Sequence, residues 1–289
     1  MPKPIPRTRS ALAPLLAARG LRATRRLGQN FLVDPALADA LVDDAGVTQG
    51  DLVVEVGPGA GGLTQPLLAR AGHVVAVEID SGLHALLAEH LGDDPRLSLV
   101  HADALDGPDG LAPAITSALD DPEARGCRRA LVVANLPYSC GTPLVAALLR
   151  RTPAPARIVA MLQSEVVARM CAAPGSADYG PLAVLATLRA EVAVVRRVPP
   201  HVFLPRPEVE SSVFRVVPRP GDARAAAAAS DLAARAFRMR RKRLLRALDG
   251  AADAAALAAA GIDATLRPED VPPEAWLRLA GEVAARGSA

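Results

Sequence analysis

The sequence predicts an α/β fold, a doubly wound and mostly parallel sheet followed by a small all-α C-terminal segment. Three observations predict it. Short apolar runs recur at 52–56, 74–79, 97–100 and 130–134, each with the length and composition of a strand buried on both faces. Helix-like stretches separate these runs from residue 51 to about residue 195, the alternation expected of a parallel sheet with its sites at the strand tips. After a break at Pro218, Arg219, Pro220, Gly221 and Asp222 the chain is alanine-rich and punctuated by leucine, with no strand signal. Two domains follow, 1–217 and 218–289.

Taken in order, the first strand carries Glu55 and passes into Gly57, Pro58, Gly59, Ala60, Gly61 and Gly62, a turn almost free of side chains. Glycines let the backbone reach positive φ and let a ligand approach the main chain, and a helix starting near Leu63 and Thr64 offers free N–H groups. Gly57, Gly59 and Gly62 also satisfy the G-x-G-x-x-G spacing. The second strand ends in Glu78, Ile79 and Asp80, about 20 residues past the first glycine, where a ribose diol is held. Both NAD and S-adenosylmethionine carry such a ribose. Glu55 favours the latter, because a carboxylate there repels a pyrophosphate but complements an ammonium or sulfonium. The third strand is tipped by Asp103, an acceptor for an adenine amino group. Nothing resembles a hydride-transfer site: His101, the only histidine near these tips, reads as a strand residue near the sheet edge.

The fourth strand runs into Asn135, Leu136, Pro137 and Tyr138. The amide oxygen of Asn135 and the carbonyl of Leu136 or Pro137 can accept the two hydrogens of an exocyclic amine while Tyr138 stacks on the ring that carries it. This set suits methyl transfer to a base nitrogen. Further on, 209–217 alternates apolar and polar residues like an edge strand, and the alanine runs at 225–229 and 254–260 fit helices.

At these motifs the chain resembles the KsgA/RsmA-type small-subunit (16S) ribosomal RNA adenine N6-dimethyltransferase family, which is related to the macrolide-resistance methyltransferases of large-subunit RNA. The resemblance rests on Leu27, Gly28, Gln29, Asn30, Phe31 and Leu32, the loop from Glu55 to Thr64, Glu78 to Asp80, Asp103, Asn135 to Tyr138, and 161–166. It continues through 174–180, 198–207 with 209–212, and Phe237, Arg240, Arg241 and Lys242. The likeness at 174–180 and 201–207 is to the housekeeping small-subunit branch. It implies a Rossmann-like, S-adenosylmethionine-dependent methyltransferase sheet. Asn30, Leu32, Gly57, Glu78, Asp103 and Asn135 would line the cofactor pocket. Tyr138 and Phe203 would sandwich the target adenine, and Pro207, 161–165 and the loop around Tyr179 would shape the mouth. The substrate implied is small-subunit ribosomal RNA in a pre-ribosomal particle, with two adjacent adenines converted to N6,N6-dimethyladenosine. The alternatives are a large-subunit resistance methyltransferase, a non-catalytic ribosome-assembly factor on the same fold and, more remotely, an NAD-dependent oxidoreductase.

Two departures from the family pattern stand out. Ser139, Cys140 and Gly141 replace the Asn-Ile-Ser-like triplet that follows the tyrosine, a change that bears on the second methylation and on site preference rather than on the reaction class. The stretch 107–129 is longer than the usual link, and its Pro, Gly and Asp content marks a surface insertion.

Charge adds the expected mode of RNA binding. The net charge of +2 hides Arg238, Arg240, Arg241, Lys242, Arg243 and Arg246, six cations on one predicted helix. With aromatics at 2%, RNA is held through phosphates, and stacking is reserved for the flipped base. Lys3, Arg7, Arg9, Arg19, Arg22, Arg25 and Arg26 form a weaker basic arm, expected to stay mobile until RNA or cofactor binds. The 289 residues are 51% hydrophobic, enough for one large and one small core. No membrane span, signal peptide or metal-ligand spacing is present, and Cys127, Cys140 and Cys171 read as reduced thiols with Cys140 a packing residue. A cytoplasmic monomer is expected.

Overall fold

The structure, a computed structural model, describes residues 4–105 and 110–287. Lys3 of the basic arm and 107–109 of the expected insertion lie outside them. In chain order the elements are α1 (Arg9–Ala18), β1 (Phe31–Leu32), α2 (Pro35–Ala45), β2 (Asp51–Val56), α3 (Thr64–Arg70), β3 (His73–Glu78), α4 (Ser81–Leu91) and β4 (Leu97–His101). Then come α5 (Pro113–Asp120), β5 (Arg129–Asn135), α6 (Gly141–Arg150), β6 (Arg157–Gln163), α7 (Ser164–Met170), α8 (Pro181–Arg189), β7 (Ala190–Val198), β8 (Phe203–Leu204) and β9 (Ser211–Pro218). Helices α9 (Ala223–Phe237), α10 (Leu244–Ala247), α11 (Ala254–Ala259) and α12 (Pro273–Gly287) complete the chain.

Two compact units result. One comprises 1–148, 153–164 and 193–217, the other 149–152, 165–192 and 218–289. The second unit thus takes in a stretch that the boundary at 217/218 leaves in the first domain, because α8 packs on α9 and α12. In the first unit the sheet order is β4-β3-β2-β5-β6-β9-β7, parallel from β4 to β6. The four apolar runs are its parallel strands. Val53 lies between Val74 and Leu131 in register, and these residues share a core with Leu41, Val42, Leu67 and Leu87 of the covering helices. Each such buried side chain contributes about 1.5–3 kcal/mol.

Several expectations are corrected here. β9 is an interior strand rather than an edge, antiparallel to β6. Its polar residues tolerate burial because their hydroxyls are bonded: Ser211 pairs with Tyr138 and Ser212 with Ser164. Helix α5, within the supposed surface insertion, buries Ile115, Ala118 and Leu119 and packs on β2, β3 and β5. The described part of the basic N-terminal arm, from residue 4 onward, is folded rather than free. Ile5, Leu12 and Leu16 enter the core, Leu12 and Leu16 lying one turn apart on α1, while Arg7 pairs with Asp39 and Arg19 with Glu89.

The second unit has its own core, with Val184, Ala233, Leu244, Trp276 and Leu279 at its centre. Both alanine runs are helical, in α9 and α11. The basic run is not one helix: α9 ends at Phe237 and α10 begins only at Leu244. Arg240 is drawn inward to Glu269 and to the carbonyls of Ser176 and Ala177, while Arg238, Arg241, Lys242 and Arg246 stay exposed. Among the described residues no helix is long and apolar enough to cross a membrane.

Candidate active site

The loops that follow β2, β3, β4 and β5 line one cavity of about 310 Å³ at the C-terminal ends of the parallel strands, closed on one side by 27–32. The loop after β2 is shaped by what it must approach. Gly57 has φ +68°, and a Cβ there would lie 2.6 Å from Pro137 Cγ. Gly59, at φ +58°, donates its N–H to Glu78 Oε2 at 2.9 Å. Only glycine combines that conformation with that clearance.

Two carboxylates are buried beside this loop. Glu78 is 3% exposed and also accepts from the Asp80 N–H at 2.9 Å; burial raises its pKa above the usual carboxylate range despite these bonds. Glu55 is 1% exposed, and its Oε2 has no hydrogen-bond partner. Burial pushes its carboxyl up to about 8, and the Glu78 charge adds to the rise. Asp80, by contrast, is spent on structure. Its Oδ1 caps α4 through the N–H groups of Gly82 and Leu83, and its Oδ2 accepts from Gln29. Asp103 lines the cavity and uses Oδ1 on the Leu105 N–H.

Asn135 is the last residue of β5, and its Nδ2 donates to the Asn30 carbonyl at 2.8 Å. A carbonyl partner requires a donor, so the amide is oriented with Oδ1 away from Asn30 and available as an acceptor. The choice between the Leu136 and Pro137 carbonyls is also narrowed. Pro137 O accepts from the N–H groups of Cys140 and Gly141, while the Leu136 carbonyl has no partner among the described residues. Tyr138 lines the cavity, its hydroxyl 2.5 Å from Ser211 Oγ, and burial raises the pKa of the phenol. Cys140 also lines it; burial, with Asp103 and Glu78 adding, pushes its thiol up to about 11, which leaves it a packing residue.

Asn30, Leu32, Gly57, Glu78, Asp103, Asn135, Leu136, Pro137 and Tyr138 are therefore brought to one cavity. Phe203 is not. It pairs with Leu32 in the β1–β8 ribbon, is 0% exposed and belongs to the core, so it does not line this cavity beside Tyr138. Tyr179 likewise sits in the core of the second unit, its hydroxyl bonded to the Val271 carbonyl, and Met161 is a core residue of the sheet. Sequence reasoning missed the cavity role of Leu27, Gly28 and Ile79. Gly28 was visible only as a motif residue, whereas the loop of Ser139 and Cys140 was expected to border the target-base pocket and does line the cavity.

The residues fit S-adenosylmethionine. The orphaned Glu55 Oε2 can receive a cationic group that its site otherwise lacks, Glu78 retains acceptor capacity for a diol, and Asp103 stands at the far strand tip.

Comparison with known proteins agrees. The family described as Ribosomal RNA adenine dimethylase matches residues 20–285. A ribosomal RNA small subunit methyltransferase A of Chromobacterium violaceum is 40% identical over 268 residues, 91% of this chain and 97% of that one. Its counterpart in Rhodospirillum rubrum is 41% identical over 282 residues, covering 96% and 93%. Among solved structures, a dimethyladenosine transferase from Plasmodium falciparum superposes with a TM-score of 0.68 at 21% identity, over 88% of this chain and 97% of that one, a likeness of fold. The 23S rRNA methyltransferase ErmE gives 0.59 at 25% identity, over 88% and 100%.

Proposed function

The chain belongs to the ribosomal RNA adenine dimethylase family, and from that premise we propose that it transfers methyl groups from S-adenosylmethionine to N6 of two adjacent adenines in a small-subunit ribosomal RNA loop. The product is N6,N6-dimethyladenosine, formed during small-subunit biogenesis by a cytoplasmic monomer acting on a pre-ribosomal particle. One observation carries the chemistry: Asn135 Oδ1 and the Leu136 carbonyl, acceptors with no partner among the described residues, stand at the wall of a cavity that also holds Gly57, Glu78 and Glu55.

Bound there, the cofactor supplies an electrophilic methyl group. Gly57, Glu78, Asp103, Asn30 and Leu32 would hold it, and Glu55, mostly protonated in the empty site, would ionise beside its positive charge. The acceptor is a poor nucleophile, because the lone pair of an aromatic amine is delocalised into the ring. Asn135 Oδ1 and Leu136 O each accept one N–H, which favours a pyramidal nitrogen with its lone pair directed away from them. Positioning supplies much of the rate. Tyr138, held through Ser211, offers the stacking face. Once methylated the nitrogen loses its proton to water, so no strong general base is required. Reaching this pocket requires unstacking the adenine, a cost of about a few kcal/mol that selects loops over helices.

Labelled S-adenosylmethionine incubated with unmethylated small subunits and, in parallel, with large-subunit RNA tests the proposal. Dimethyladenosine on the small subunit alone is expected. Label on large-subunit RNA, or on neither, overturns it.

A further inference from the structure

Three backbone carbonyls of the segment 27–30 accept hydrogen bonds from the loop that carries the acceptor-binding residues. Leu27 O accepts from Ser139 Oγ at 2.9 Å, Gly28 O from the Tyr138 N–H at 3.3 Å and Asn30 O from Asn135 Nδ2 at 2.8 Å. The segment is anchored at its other side. Gln29 Oε1 accepts from the Thr24 N–H at 2.8 Å, and Gln29 Nε2 donates to Asp80 Oδ2 at 3.2 Å, the same carboxylate whose other oxygen caps α4. Close approach is obligatory: at φ +64°, a Cβ on Gly28 would lie 2.5 Å from the Ser139 nitrogen and 2.8 Å from that of Tyr138.

We propose that 27–30 is a positioning strap, with Gly28 and Ser139 as its positioning residues, which holds the Asn135 amide in the one orientation that presents oxygen to the acceptor amine. This inference rests on the methyl-transfer reading above. An Asn amide has two faces of opposite polarity and similar shape. Turned over, it directs an NH₂ at an amine whose own hydrogens need acceptors. The Asn30 carbonyl removes that alternative only while the strap lies flush on the loop, and the clasp of Ser139 on Leu27 together with the missing Cβ of Gly28 keeps it there. Ser139 is also where the chain departs from its family's pattern after the tyrosine. The hydroxyl gives that departure a function, since it spans the gap to the strap with one short side chain.

Three variants test this: S139A removes the clasp, S139T keeps a hydroxyl, and G28A pries the strap away. Turnover on unmethylated small subunits, cofactor Kd and the side-chain amide resonance assigned by its loss in N135A are measured together. In S139A, kcat is expected to fall about fivefold, the scale of one ordinary hydrogen bond, with cofactor Kd within about twofold and the Asn135 amide signal shifted or broadened. S139T should restore both turnover and signal. G28A should lose more than S139A, and the milder variant keeps the test valid if G28A folds poorly. Wild-type kcat with an unmoved amide signal in S139A overturns the strap, as does a loss confined to cofactor affinity. Wild-type protein that binds cofactor yet methylates no small subunit overturns the parent reading, and the strap with it; that result is distinct from active protein whose variants are indifferent.

Discussion

At the scale of single residues, the most consequential group is one whose charge the fold suppresses. Glu55 is buried with an unpartnered oxygen and titrates near 8, against 4.5 for an ordinary glutamate. A carboxyl whose folded-state pKa is raised adds stability that is complete below its unfolded value and is lost as pH rises through the folded one. The cofactor-free protein should therefore weaken between about pH 4.5 and 8, with a slope of up to about 1.4 kcal/mol per pH unit from this group. Glu78, also raised by burial, acts in the same direction. Asp51 acts in the opposite one: burial alone would raise it, but Arg129 and Thr48 hold it low, so its contribution is lost as pH falls. Chemical denaturation of wild type and E55Q from pH 5 to 9 isolates the effect. The E55Q protein should show the flatter alkaline limb, and an identical limb in both would remove Glu55 as its cause. Asn135 makes the complementary case for catalysis. N135A deletes the acceptor oxygen and is expected to lower kcat by about 10²–10³-fold, the cost of removing one preorganised polar group, while cofactor Kd changes little. Near-normal turnover would sink its assigned role.

At the scale of elements, the turn after β2 and the turn after β5 constrain each other. In G57A the new methyl would meet Pro137 Cγ at 2.6 Å from a backbone at φ +68°, so the two loops must separate. Cofactor affinity should drop at least about tenfold and the thermal midpoint should fall as well, since a left-handed alanine in these half-buried turns costs about 1–3 kcal/mol; calorimetric titration and a thermal melt against wild type measure the two effects. These turns were legible in the sequence because they follow strands buried on both faces, which appear as unbroken apolar runs, and because glycine and proline declare backbone geometry directly. Elements whose surroundings come from distant parts of the chain were less legible. The alternation of 209–217 describes a strand but not its neighbours, so β9 looked like an edge. Phe203 stands in a motif, yet its backbone pairing with Leu32 takes its ring into the core. Six cations in nine residues suggested a helix, but nothing local announced that Arg240 would be recruited by Glu269. The link from Gly28 and Ser139 to Asn135 exists only once the strap is folded down.

At the scale of the whole molecule, exposed cations lie on both units. The cavity is built within the first, which also exposes Arg22, Arg25 and Arg26, and a second group, Arg238, Arg241, Lys242 and Arg246, is exposed on the second. With a net charge of only +2, the chain as a whole exerts little long-range pull on a polyanion. RNA capture must then depend on local clusters, in which each neutralised phosphate releases counterions and steepens the salt dependence of binding by about 0.7–0.9 in the logarithmic slope. Replacing Arg241 and Lys242 by glutamine removes two cations without touching a core residue or the ion pair of Arg240. The double variant should bind small-subunit RNA more weakly, with a salt slope lower by about 1.4–1.8 if both side chains meet phosphates. Its KM for subunits should rise while kcat at saturation stays at the wild-type value, because Asn135, Leu136 and Tyr138 are unchanged. Filter binding across a salt series, paired with initial rates, decides the matter. An unaltered slope would mean that these cations face solvent in the complex, and a fall in kcat would mean that the second unit contributes to the chemistry rather than to capture alone.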